Sequence, residues 1–262
     1  MIILKVGGGA GVDHDAVLKN LAARIQNGEQ WVLVHGASDA TNKLTEQLGY
    51  EAQTITSPGG HTSRYTDARI IEIFSAAAGS VNQQLTATLT GHDIRAVGLA
   101  GPNIIFAERK KAIRAVKNGR QIIIRDDFSG KITGINADVL TTLLDNGFTP
   151  VIAPLAIGEE GERLNVDGDL VAANIAAEMK ADTLIILSNV PGLMRDLNQP
   201  DSVVDEVALS ELDKVEGFAE GRMKKKLIAA QTAGISRVIL GDSRLEAPLD
   251  AALDGGGTHI IR

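Results

Sequence analysis

The chain has 262 residues, of which 44% are apolar, 23% charged and only 3% aromatic, and its formal net charge is −7. An acidic, ring-poor composition argues against a nucleic-acid binder, which would show a basic balance and stacking side chains. No cysteine is present, which excludes disulfides and thiolate metal sites; with no apolar run near the ~20 residues of a membrane span and no signal-peptide pattern at the start, the expectation is a cytoplasmic protein with no membrane contact.

The first predicted strand, residues 2–6, reads Ile-Ile-Leu-Lys-Val and opens into Gly7-Gly8-Gly9. Lys5 stands in an otherwise apolar strand, where a buried cation needs an anionic partner. A helix is predicted over 14–26 and a strand over 31–34, which ends in His35-Gly36-Ala37-Ser38. Glycines at strand ends let backbone N–H groups approach a phosphoryl group that side chains would keep away. Helices follow at 42–48 and 67–89. Along the second, Ile71, Phe74, Ala78, Val81 and Leu85 form a stripe at three- and four-residue steps, suited to core packing or to a subunit contact.

After a strand at 96–99 the rhythm breaks. From Arg109 to Arg125 there are seven basic residues and no acidic one, and Asn118-Gly119 between 112–116 and 121–124 predicts a hairpin. Its cations suit either docking of an acidic partner or protection of a sheet edge. A helix at 137–146 and a strand at 150–153 lead to the polar, turn-rich segment 157–163, a soft boundary between two lobes that share one sheet. Asn165-Val166-Asp167-Gly168-Asp169 precedes a helix at 170–179; either aspartate could cap it, which leaves the other free. A strand at 184–187 runs into Ser188-Asn189-Val190-Pro191-Gly192-Leu193. A helix at 223–233 starts with Lys224-Lys225-Lys226, against the preference of a helix start for acidic residues, and ends at Gly234. A strand at 238–240, a helix at 249–253 and a strand at 259–261 complete the chain. Strand and helix in alternation imply a largely parallel sheet with helices on both faces and a ligand crevice at the carboxyl ends of the strands.

Several familiar signatures are missing. There is no Walker loop and no G-x-G-x-x-G, since Val12 stands where the last glycine should be. There is no H-E-x-x-H, the five histidines are scattered, and no G-x-S-x-G elbow supports a serine nucleophile.

Lys5-Val6-Gly7-Gly8, Val34-His35-Gly36, Arg64-Tyr65-Thr66-Asp67, Asn165 to Asp169, Ser188 to Leu193 and Gly221-Arg222-Met223-Lys224-Lys225-Lys226 together resemble the amino-acid kinase family. Their order and spacing match its acetylglutamate kinase branch over essentially the whole chain. Within that branch the stretch from Ser57 to Asp67 and the G-R-M-x-x-K form at 221–226 are most similar to kinases acting on aminoadipate or glutamate tethered to the acidic carrier protein LysW. The resemblance implies a three-layer αβα sandwich with a mainly parallel central sheet. Residues 1–160 would form an acyl-substrate and dimerisation lobe, and residues 161–262 a lobe holding ATP with Mg²⁺, which is bound mainly through the ATP phosphates. The implied reaction moves the γ-phosphoryl group onto a side-chain carboxylate, a step of lysine or arginine biosynthesis.

By position, the resemblance implies that Lys5 and Lys226 grip the transferring phosphoryl group and that Asp169 holds both lysines. Gly8 and Gly36 would donate N–H groups to the same centre, with Ala37 beside them at the substrate. Arg64 would clamp the α-carboxyl group and Asn165 the substrate amide, while Asn189, Val190, Gly192 and Leu193 would line the nucleotide pocket. A homodimer is implied, and the basic hairpin at 109–125 would meet the carrier. Two positions depart from the family pattern: Ala37-Ser38 replaces the second and third glycines of a Gly-Gly-Gly loop, and Asn189 stands where aspartate is frequent. The alternatives are an N-acetylglutamate kinase acting on the free amino acid, or a non-catalytic nucleotide-binding regulator.

Overall fold

The structure, a computed structural model, describes residues 1–58, 60, 62–117, 120–196, 198–219 and 221–262. In chain order the N-terminal half runs β1 (Ile2–Val6), α1 (His14–Gln26), β2 (Trp31–His35), α2 (Ser38–Gln47), β3 (Thr54–Thr56), β4 (Thr62–Arg64), α3 (Ala68–Gly91), β5 (Ala96–Leu99), β6 (Ile105–Arg109), β7 (Ile113–Lys117), β8 (Arg120–Ile124), β9 (Gly130–Ile135) and α4 (Ala137–Asp145). The remainder is β10 (Thr149–Ile152), β11 (Leu155–Ile157), β12 (Arg163–Asn165), α5 (Gly168–Glu178), β13 (Thr183–Ser188), β14 (Glu206–Ala208), α6 (Leu212–Val215), α7 (Arg222–Ala233), β15 (Arg237–Asp242), α8 (Pro248–Leu253) and β16 (Thr258–Ile261).

Eight strands form one sheet in the order β14-β16-β15-β13-β1-β2-β10-β5. All its neighbours are parallel except β15 and β16, so β16 and β14 run against the other six. The innermost strands read IILKV, WVLVH and TLIILS, the near-continuous apolar runs of strands covered on both faces. On one face Leu4, Val6, Leu33, Ile185 and Leu187 pack with α1, α3 and α8. On the other, Ile3, Val34, Ile186 and Leu240 pack with α4, α5 and α7. This is the expected αβα sandwich, and every long predicted element is present.

Two four-stranded sheets, β12-β11-β6-β9 and β4-β3-β7-β8, were not foreseen as sheets. Half of their strands are only three residues long and acquire a reason to be extended only from their partners. The polar segment expected at the lobe boundary is the tip of the β11–β12 hairpin, closed by the Gly158 N–H on the Glu162 carbonyl at 2.8 Å. The strands of the basic hairpin pair antiparallel as β7 and β8, although its Asn118-Gly119 turn lies outside the described residues. The α3 stripe belongs to the chain's own core, with Ile71, Phe74, Ala78 and Leu85 all buried. Helix α2 starts earlier than predicted, at Ser38, because the Asp39 N–H bonds the Gly8 carbonyl at 2.7 Å and anchors its first turn on the neighbouring loop.

Candidate active site

Side chains alternate along a strand, so Lys5 shares the face of Ile3, where α5 and α7 lie. Asp167 caps α5, accepting the N–H groups of Asp169 and Leu170 at 3.0 and 3.4 Å. Asp169, two residues on, turns inward to the sheet. Its Oδ1 is 2.7 Å from the Lys5 Nζ and its Oδ2 accepts a 3.2 Å hydrogen bond from Lys226. Helix α7 delivers Lys226 from its second turn and is preceded by its cap residue Gly221 (φ 50°), which offers no capping side chain. Burial acts to raise Asp169, but the two ammonium groups outweigh it and hold the carboxyl far below the usual carboxylate range. Burial, reinforced by Lys5, pushes the Lys226 ammonium below the usual lysine value despite Asp169. All three groups are buried. Two cations share one carboxylate there, which leaves a positive charge for an incoming anion to neutralise.

The two glycine loops meet beside this cluster. The Gly7 N–H donates to the Leu187 carbonyl and the Gly36 N–H to the Val6 carbonyl, each at 3.0 Å, so both extend the parallel ladder. A Cβ on Gly8 would stand 2.1 Å from the Gly36 carbonyl carbon, which no side chain can do. Among the described residues the N–H groups of Gly8 and Ala37 have no partner. Both residues border the cleft.

That cleft, of about 1060 Å³, runs from β3 and β4 across the lysine cluster to α7. Lys5, Lys226, Lys225, Arg222 and Arg64 line it together with Lys110 and Lys131, against two carboxylates, Asp167 and Asp169. Arg64 donates to the Ser38 carbonyl at 3.1 Å and to Asn42 Oδ1; among the described residues it has no acidic partner. Burial first, and then Arg222, lower its pKa from the ordinary arginine value. Asn165 donates to Thr66 Oγ1 at 3.1 Å. The buried Asp127 ties the Thr66 N–H (2.8 Å) to the Ser129 N–H (2.7 Å) and so braces the segment carrying Arg64. At the other end Asn189 donates to the Ala10 carbonyl at 3.4 Å, and the half-exposed Phe218 and Ile228 offer an apolar wall.

Residues 1–239 match the model of the amino acid kinase family. The chain belongs to this family. It is 42% identical to the LysW-aminoadipate kinase of Deinococcus radiodurans, over 99% of this chain and 91% of that one. It is 39% identical to the LysW-aminoadipate kinase of Thermus thermophilus, over 99% of this chain and all of that one. Among solved structures, carbamate kinase from Giardia lamblia bound to AMP-PNP superposes with a TM-score of 0.71 at 18% identity, covering 99% of this chain and 98% of that one; at that identity the likeness concerns the fold. Membership makes the protein an ATP-using phosphotransferase.

In this kinase the expected Lys5, Asp169 and Lys226 converge, and Gly8, Gly36, Ala37, Arg64, Asn165, Asn189, Val190 and Gly192 border the same cleft. Two expectations need correction. The Gly36 N–H is engaged by Val6, so among the described residues the N–H groups of that loop left without a partner are those of Ala37 and Ser38. Leu193 does not line the pocket: its side chain is fully buried in the core and its N–H bonds Thr258 Oγ1 at 2.8 Å, while Met194 reaches the cleft instead. The residue after a tight turn can face either way, and only the packing against β16 decided it. Sequence reasoning also missed Arg222, which lies against Gly9 with no acidic partner among the described residues. Its signal was present, as the first cation of a run where a helix start should be acidic.

Proposed function

We propose that this kinase uses ATP to phosphorylate the side-chain carboxylate of aminoadipate or glutamate attached to an acidic LysW-type carrier protein, in lysine or arginine biosynthesis. A carboxylate oxygen attacks the γ-phosphorus, the bond to the β,γ-bridging oxygen breaks, and ADP leaves with that electron pair as the acyl phosphate forms. The acceptor is already ionised at neutral pH, so no general base is needed, and the barrier is lowered by positioning and by neutralising charge. The observation that carries the proposal is the pair of buried lysines sharing Asp169, a site with one positive charge too many until a phosphoryl group arrives.

In this proposal Lys5 and Lys226 hold the phosphoryl oxygens from opposite sides, with the Gly8 and Ala37 N–H groups beside them. Arg64 clamps the α-carboxyl group and Asn165 the amide, within a substrate lobe of residues 1–160. Asn189, Val190 and Gly192 hold the nucleotide within residues 161–262. Mg²⁺ would further neutralise the transferring charge. Both carboxylates of the cleft face lysines, Asp169 as above and Asp167 at 3.2 Å from Lys225, so the cation would ride on the ATP phosphates rather than in a protein cage. The hairpin β7–β8 borders the cleft and would receive the carrier.

The test is ATP-dependent acyl phosphate formation, trapped as hydroxamate, with free N-acetylglutamate beside carrier-linked glutamate and aminoadipate. Turnover of the linked acceptors alone is expected. Efficient turnover of free N-acetylglutamate would replace this proposal with an ordinary N-acetylglutamate kinase.

A further inference from the structure

Strand β2 ends in a histidine that takes no part in the chemistry above. His35 is 0% exposed and shares the sheet face of Trp31 and Leu33, toward α3 and opposite to Lys5. Its Nδ1 lies 3.2 Å from the Gly36 carbonyl oxygen and its Nε2 lies 3.1 Å from the Asn82 Nδ2. Asn82, buried on α3, turns the same amide nitrogen to the Val151 carbonyl at 2.8 Å. An amide oxygen in that position would stand 2.8 Å from the Val151 carbonyl oxygen and 3.4 Å from that of Leu99, which settles which end of the Asn82 amide faces the histidine. An amide nitrogen only donates, so Nε2 must accept; a carbonyl only accepts, so Nδ1 must carry the proton. Burial pushes His35 down to about 4, and the ring is neutral at neutral pH.

The carbonyl that His35 holds belongs to the peptide group whose other half is the Ala37 N–H. In a trans peptide the two point in opposite directions. With the oxygen held on the α3 side, the N–H is directed to the face of Lys5, Asp169 and Lys226, and it has no partner among the described residues. Gly8 presses on the same peptide: the ideal Cβ position of Gly8 is only 2.3 Å from the Ala37 nitrogen. Rotation of this peptide would turn a carbonyl oxygen toward the phosphoryl oxygens and replace attraction by repulsion.

We infer that His35, oriented by Asn82, is a positioning residue for phosphoryl transfer: its Nδ1–H locks the Gly36–Ala37 peptide so that the Ala37 N–H faces the transferring group. This inference rests on the proposed carboxylate phosphorylation. It concerns a residue that touches neither substrate.

Asparagine places a donor nitrogen near the Nδ1 position of histidine, whereas glutamine places it near Nε2. His35→Gln is expected to lose about 10²-fold in kcat, the usual cost of one misplaced oxyanion donor, with KM for ATP within about three-fold of wild type. His35→Asn should recover to within about five-fold of wild type, because a purely structural role would not discriminate the two amides by kcat alone. Equal losses in both variants, or an effect confined to KM, would overturn the inference. A second measurement uses the unmodified protein: ¹⁵N-resolved imidazole NMR should show His35 as the neutral Nδ1–H tautomer, and an Nε2–H tautomer would overturn the inference whatever the variants do. Wild type inactive on every carboxylate acceptor would instead overturn the proposed function, with the tautomer measurement still deciding what holds the Gly36 carbonyl.

Discussion

At the scale of single residues, two aspartates two positions apart do different work. Asp167 satisfies the backbone at the start of α5 and Asp169 satisfies two buried ammonium groups. Asp169→Asn is expected to destabilise the fold by about 3 kcal/mol, as loss of one partner does in buried ion pairs, and to lower kcat by at least about 10²-fold through loosened lysines. Asp167→Ala should cost only about 1 kcal/mol, the value of a helix cap, and leave most of the activity. The pH dependence has a definite sign. The folded-state pKa of Asp169 is depressed, so its contribution is complete above the unfolded carboxylate range near ~4 and is lost as the pH falls below it. Urea unfolding followed from pH 6 to pH 2 should show this acid loss in wild type and a shallower slope in Asp169→Asn; parallel slopes would contradict the assignment.

Among the elements, the basic hairpin changes character once its register is known. In β7–β8, Arg114 opposes Ile123 and Val116 opposes Gln121. Ala115 is buried and Ile113 borders the cleft, so residues 114 and 116 face outward with 121 and 123. The outward face therefore mixes one arginine with Val116 and Ile123, both exposed, rather than forming a uniform strip of cations. Such a face suits an acidic partner with some apolar surface better than a purely ionic one. Arg114→Glu is expected to raise KM for a carrier-linked acceptor at least about five-fold, in line with like-charge juxtaposition at a docking surface, and to leave KM for ATP unchanged. An unchanged KM for the carrier-linked acceptor would move the docking surface elsewhere.

For the whole molecule, a net charge of −7 coexists with a cleft lined by seven cations and two carboxylates. The segregation focuses positive potential where two anions must be brought together. The homodimer that the resemblance implies also belongs at this scale. The α3 stripe is consumed by the chain's own core and gives it no support, so a pairing surface would use other residues. Sedimentation velocity at micromolar concentration should return twice the 27.6 kDa of one chain; a monomer at all concentrations would rule the dimer out. Among the described residues no helix is long and apolar enough to cross a membrane.

The sequence by itself determined the alternating β/α layers, the two glycine loops and the charged positions of the cluster. Those features depend on local periodicity and on residue types that are unfavourable where they stand, such as Lys5 in an apolar strand and lysines at a helix start. Tertiary structure alone decided which aspartate caps and which bridges, and which loop N–H groups remain free. It also decided that Leu193 turns into the core and that His35 holds a carbonyl from the far side of the sheet. Each of these depends on a hydrogen bond between residues distant in sequence (Gly36 with Val6, Leu193 with Thr258, His35 with Asn82), and no local pattern encodes which partner a buried polar group will find.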